Sequence, residues 1–146
     1  GCHITAFTNS EDKVDLLKDL GVDEIISSLD KSQIKELGSK FDLIISTVNV
    51  ELDWNLFLSV LRPRGRLHFV GAVLKPIQTS VFSLMGGRKS ISGSPVGSPV
   101  NIKKMLDFCA HHNISPMVEH FKFKDINRAI EKLRNNKIRF RAILSW

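Results

Sequence analysis

Phe41 to Ala72 reads F-D-L-I-I-S-T-V at its start and G-R-L-H-F-V-G-A at its end, and this stretch decides the fold. Leu43, Ile44 and Ile45 are consecutive β-formers behind Asp42, and an unbroken apolar run suits a strand covered on both faces, which predicts a central strand. Trp54, Phe57, Leu58 and Leu61 then follow at the spacing of one helical stripe. Pro63 and Gly65 are expected to stop that helix before Leu67 to Val70 resumes as strand. The unit is a β-α-β crossover. In open parallel sheets ligands bind beyond the carboxyl ends of the strands, so Ser46 to Val48 and Gly71 to Val73 are expected to form part of a ligand rim.

Toward the amino end, Ile4 to Phe7 reads as a buried strand that ends in Thr8-Asn9-Ser10. Val14, Leu17 and Leu20 make a helical stripe closed by Gly21, Glu24 to Ser27 gives a second strand, and Ser32 to Leu37 is a weak helix or turn. Toward the carboxyl end, Val81 to Met85 reads as a short helix ended by Gly86-Gly87, and Ser90 to Ser94 as a strand. The tetrapeptide G-S-P-V then occurs twice, at Gly93 to Val96 and Gly97 to Val100, and marks a loop. Asn101 to His112 is expected to be a helix, Met117 to Phe123 extended, Asp125 to Asn135 an amphipathic helix, and Phe140 to Trp146 a closing strand. Repeated alternation of strand and helix patterns argues for an α/β layered sheet with crossover helices and no internal linker.

With 146 residues, 42% of them hydrophobic, the chain can bury a core of its own and its length favours one domain. No apolar run approaches the roughly 20 residues of a membrane helix, and no signal-like segment opens the chain, so a cytoplasmic location without membrane contact is expected. Two cysteines, Cys2 and Cys109, do not make a disulfide framework. The formal charge of +6 attracts anions, but the basic residues are spread in small groups, which reads as a solvated surface and not as a nucleic-acid patch.

The turn after the first strand carries the most informative polar cluster. In dinucleotide-binding folds an acid at the end of the second strand accepts from the ribose hydroxyls, whereas hydroxyl and cationic groups accommodate an added 2′-phosphate. Thr8, Asn9, Ser10 and Lys13 stand in that stretch with no acid before Glu11, so a dinucleotide fold here would favour NADP over NAD. The T-x-x-E spacing of Thr8 and Glu11 also suits a helix capping box. No G-x-G-x-x-G diphosphate turn occurs in the chain. Arg139 and Arg141 flank Phe140 on the expected last strand and would share one face, where an arginine could pair with a diphosphate. Cys109, His111 and His112 lie close together, but Cys109 belongs to an apolar stripe, so no metal site and no catalytic residue is assigned.

H-I-T-A-F-T-N-S-E-D-K, L-G-V-D-E-I-I-S-S, F-D-L-I-I-S-T-V, G-R-L-H-F-V-G-A, R-K-S-I-S-G-S-P-V-G-S, M-L-D-F-C-A-H-H-N-I and I-R-F-R-A-I-L-S-W, in this order, resemble the C-terminal part of zinc-type medium-chain alcohol dehydrogenases, closest to the cinnamyl alcohol dehydrogenase-like branch. The resemblance implies an intact enzyme that moves a hydride between NADP and an aldehyde or primary alcohol, with a catalytic zinc. It implies that Thr8, Asn9, Ser10 and Lys13 lie at the 2′-phosphate, Thr47 and Val48 against the cofactor, Val70, Gly71, Ala72, Ser94, Pro95 and Val96 along the nicotinamide, and Arg141 at the diphosphate. The family's zinc ligands and glycine-rich turn have no counterpart here, so the expected object is an incomplete Rossmann-type doubly wound parallel sheet lacking its first strand, catalytically silent by itself.

The family's strand order would leave Ile4 to Phe7 and Leu43 to Ser46 each with a naked inner edge. Such edges predict pairing with another copy, closure of the gap by a shifted strand, or aggregation; the family's dimer contact near Ile91 to Ser94 also points to a homodimer, with strand exchange as one route. The alternative reading is a non-catalytic Rossmann-like nucleotide-sensing module.

Overall fold

Strand and helix alternate from Thr5 onward in the computed structural model, which describes residues 1–135 and 137–146 in two compact units, Gly1–Val96 and Gly97–Trp146. The division falls between the two G-S-P-V copies, where the sequence showed a loop. The first unit contains β1 (Thr5–Thr8), α1 (Val14–Asp19), β2 (Glu24–Ser27), α2 (Lys31–Glu36), β3 (Phe41–Ser46), α3 (Trp54–Ser59), β4 (Leu61–Phe69), α4 (Val81–Met85) and β5 (Ser90–Gly93). Every strand pair in it is parallel: β1 with β2, β3 with β4, and β4 with β5. The sheet is nonetheless in two pieces, β1-β2 and β3-β4-β5, and among the described residues β1 and β3 do not pair.

Local chemistry starts and stops the helices. Asp30 and Asp53 stand at the N-caps of α2 and α3, where their carboxylates accept from the amides of Gln33 (2.9 Å) and Leu56 (3.2 Å). Gly21, with φ of +81°, lets the chain turn out of α1 as a side-chain-bearing residue would not. The inner face of α3 lays Trp54, Phe57 and Leu58 on the sheet, where Leu58, Val60, Leu61 and Leu67 are fully buried. Ile34 of α2 and Ile26 of β2 belong to the same core, so both sheet pieces share one hydrophobic floor. The ring of Phe7 on β1 reaches Phe41 (5.6 Å between centroids) and Phe57 (5.3 Å), both edge to face.

Two expectations for this region fail. β3 is not a central strand covered on both faces: it pairs with β4 alone, and Leu43 and Ile45 remain 51% and 56% exposed while Ile44 and Ser46 point into the core. An unbroken apolar run does not by itself report how many neighbours a strand has. Nor do Pro63 and Gly65 separate helix from strand, since β4 begins at Leu61 and carries both inside it. The register jumps from Phe41↔Leu61 to Leu43↔Arg66, so residues 62–65 loop out of the ladder, with Arg64 at φ +66° donating its amide to the Gly87 carbonyl at 2.7 Å.

The second unit holds α5 (Pro99–His111), β6 (Glu119–Lys122), α6 (Ile126–Arg134) and β7 (Ala142–Ser145), with β6 and β7 parallel. Ser98 caps α5 by accepting from the Asn101 amide, and Asn113 at φ +54° turns the chain away beyond its end. Glu119 accepts from the Lys132 ammonium (2.8 Å) and the Arg139 amide (2.9 Å), which hold its carboxyl below the usual range in that order of importance. Among the described residues no helix is long and apolar enough to cross a membrane.

Candidate functional site

Thr8 and Asn9 at the carboxyl end of β1 and Ser46 and Thr47 at the carboxyl end of β3 line the same gap between the two strands. The gap is a cleft of about 570 Å³. Phe7, Phe41, Trp54 and Phe57 line its inner part, while Thr8, Asn9, Lys13, Ser46, Thr47 and Val48 line it at the strand ends. Ser28 and Leu29, from the end of β2, also face it. Among the described lining residues there is no carboxylate and one cation, Lys13, which forms no ion pair with a described residue.

The turn after β1 is built differently from the capping box expected of it. Thr8 is the last residue of the strand, and its hydroxyl accepts from the Ser10 amide at 3.2 Å, a two-residue turn that uses up the oxygen before Glu11 is reached. Ser10 takes the N-cap position of a single 3-10 turn, Glu11–Lys13, without a side-chain bond, and α1 begins only after it. Thr8, Asn9 and Lys13 therefore meet at the cleft, with Ser10 folded back on Thr8.

On the other side the ends of β3, β4 and β5 lie next to one another. The amides of Val70 (2.9 Å) and Gly71 (3.0 Å) both donate to the Ser46 carbonyl. A Cβ on Gly71 would sit 2.3 Å from the Val48 oxygen and 2.6 Å from the Thr47 carbonyl carbon, so the glycine is required by the chain's own close approach. Thr47, Val48, Val70 and Gly71 are thereby held together, with Ala72 next in the chain. Ser94 donates its amide to Phe69 at 3.0 Å, and Pro95 and Val96 continue from it with exposed side chains. Arg141 belongs to the second unit. The face expected to be shared with Arg139 does not form there, because both precede β7 and Phe140 at φ +69° breaks the extended run.

Two side-chain arrangements go beyond the sequence reading, which placed Ser46 on the ligand rim and gave His68 no partner. His68 bridges the hydroxyls of Ser92 (2.8 Å from Nδ1) and Ser94 (3.0 Å from Nε2), which the strand alternation S-I-S-G-S could have indicated. The Ser46 hydroxyl is the more telling: the residue is 8% exposed, and its Oγ is buried without a hydrogen-bond partner among the described residues. A buried hydroxyl left unpaired costs about 1–3 kcal/mol, and no local signal announces it.

Residues 1–111 match the profile of a family described as zinc-binding dehydrogenase. The chain belongs to that family. Among its relatives is an aldehyde reductase AdhA of Synechocystis, 48% identical over 145 residues, a match covering 99% of this chain and 43% of the relative. A solved cinnamyl alcohol dehydrogenase of Sorghum bicolor superposes with a TM-score of 0.88 at 32% identity, covering 96% of this chain and 40% of that one. A cinnamyl alcohol dehydrogenase of Helicobacter pylori, solved in complex with NADP(H), gives a TM-score of 0.81 at 29% identity, covering 97% and 40%. The chain thus spans about 40% of the length of these proteins. Its described residues contain no group of three His, Cys, Asp or Glu side chains able to hold a metal ion, so the donor set that zinc needs is not met within them.

Proposed function

We propose that this chain is the NADP-binding portion of an oxidoreductase whose whole protein interconverts an aldehyde and a primary alcohol. The observation that carries the reading is the cleft mouth: one unpaired ammonium, Lys13, beside Thr8 and Asn9, with no carboxylate among the described lining residues. A ribose 2′-phosphate is a dianion that such a mouth attracts, whereas an unmodified ribose gains most from an acid that accepts its hydroxyls. Thr47, Val48, Val70, Gly71, Ala72 and Ser94 to Val96 would border the rest of the cofactor. The nicotinamide supplies the hydride when bound; this chain's residues bind and orient it. Zinc would be held in polypeptide beyond these 146 residues.

The whole protein is read as a cytoplasmic homodimer. Val81, Phe82 and Met85 of α4 are 66%, 82% and 67% exposed, an apolar surface that a partner subunit would cover. The test of the cofactor reading is titration of the chain with 2′,5′-ADP and with 5′-AMP, followed by amide shifts at residues 8–13. The first should bind at least about tenfold more tightly, falling with added salt and with Lys13→Glu. Equal affinity for the two nucleotides, or indifference to Lys13→Glu, would refute it.

A further inference from the structure

We propose that His68 is a positioning residue that makes the Ser94 hydroxyl a fixed hydrogen-bond donor just beyond β5, so that this part of the rim selects a ligand group that accepts, a carbonyl oxygen. His68 pairs in register with Ser92 and faces away from Leu67, which is fully buried. Its Nδ1 lies 2.8 Å from the Ser92 hydroxyl and its Nε2 3.0 Å from that of Ser94. A neutral imidazole has one N–H and one bare nitrogen, so one serine must donate to the ring and the other must accept from it. Ser92 is half-buried, and Nδ1 is the one described partner of its hydroxyl; a proton turned elsewhere would be left unpaired. Ser92 therefore donates to Nδ1. The ring proton then sits on Nε2 and is donated to the oxygen of Ser94, which is exposed and turns its own proton outward.

The neighbours of the imidazole leave that direction in place. Ile45, opposite His68 on β3, is apolar. Arg66, two residues earlier on the same face and level with Leu43 and Ser90, is the one charged side chain on that face of the ladder among the described residues, and a guanidinium offers Ser92 and the ring no acceptor. The three groups form a chain whose bonds all point the same way, each polarising the next, toward Ser94. Ser94 matters because main-chain donors are scarce beside it. The amides of Val70 and Gly71 are committed to the Ser46 carbonyl and that of Ser94 to the Phe69 carbonyl, while Pro95 has no N–H. Its hydroxyl is thus the donor which these four residues can offer a ligand. Resting on the reading that Ser94 to Val96 border the nicotinamide, the assignment gives that hydroxyl the carbonyl oxygen of the ring's carboxamide and so fixes the rotation of the amide.

Nitrogen-15 NMR of the imidazole in the unliganded 146-residue chain, at about pH 8 where histidine is neutral, reads the tautomer directly. Nε2 should carry the proton and Nδ1 should be bare; Ser92→Ala should leave the two forms mixed. The ligand probes are the 3-acetylpyridine analogue of NADP, which keeps the accepting oxygen, and the 3-aminopyridine analogue, which replaces it with a donor. The parent chain should bind the acetyl analogue roughly 2- to 10-fold more tightly. Ser94→Ala and His68→Phe should each abolish that preference, the two together no more than either alone, and His68→Gln, whose amide supplies an N–H, should restore part of it. An Nδ1–H tautomer, equal binding of the two analogues by the parent, or a preference that survives His68→Phe would overturn the proposal. The comparison of 2′,5′-ADP with 5′-AMP involves no pyridine ring, so a failure of the cofactor reading shows in that pair, and a failure of this proposal in the tautomer and in the acetyl-to-amino ratio.

Discussion

β3 has two edges with opposite fates. Along one it is joined to β4 from Leu43↔Arg66 to Ser46↔Phe69, over a floor of fully buried Leu58, Val60, Leu61 and Leu67. Along the other it pairs with no strand among the described residues, and β1 stands across the cleft. The closed seam is held along its whole length, by ladder hydrogen bonds and core packing. The open one is spanned beneath by the rings of Phe7 and Phe41, and at its amino end by Lys40, which binds Glu24 on β2 while Glu24 accepts from the Thr5 hydroxyl at 3.0 Å. This part of the sheet thus takes its packing from one side of β3 and leaves the other edge unpaired.

The largest effect should come from the closed seam. Leu67→Ala removes a fully buried side chain from β4 and should lower stability by about 2–5 kcal/mol in urea unfolding. A loss much below that range would mean that the seam is not the source of stability. Gly71→Ala should cost about 1–3 kcal/mol, because its Cβ has no room against the Val48 oxygen. Its amide shifts should spread through residues 46–48, where β3 and β4 finish together. A silent Gly71→Ala would break the account of that junction.

Much of this was legible in the sequence, and the failures share a cause. The bounds of β2 and of α4 follow from short apolar runs punctuated by Gly and polar residues, and the polar cluster after β1 marks a strand end by composition alone. The L-I-I run read β3 as interior, because what a strand lacks beside it is not written in its own residues; the naked inner edge came instead from the strand order that the family resemblance implied. Thr8 suited two turn geometries, and the extent of β1 chose between them. Phe140 was placed in a strand by its alternation with two arginines, but a positive φ at a bulky residue depends on surroundings that local spacing does not encode. The Ser46 hydroxyl is the same kind of fact: whether a buried oxygen is satisfied depends on residues distant in sequence.

The fastening across the open side should give the smallest effect. Hydrogen bonds from Lys40 first and Thr5 second hold the Glu24 carboxyl below its ordinary value of 4.5. A carboxyl whose folded value is lowered contributes stability that is present above the unfolded value and lost as pH falls through the folded one. Because the pair is partly solvated, Glu24→Gln should cost under about 1 kcal/mol at pH 7, less in high salt, and the difference from the parent should shrink as pH falls below the ordinary carboxyl value and through the lowered folded one. A loss that persists in acid would assign the effect to packing and not to charge.

Amide exchange along β3 in the unliganded chain tests the two-edged strand most directly. Leu43 and Ile45, whose amides face the cleft, should exchange much faster than Ile44 and Ser46, whose amides face β4. Uniform protection of the four would contradict the account, because it would show both edges of β3 already paired.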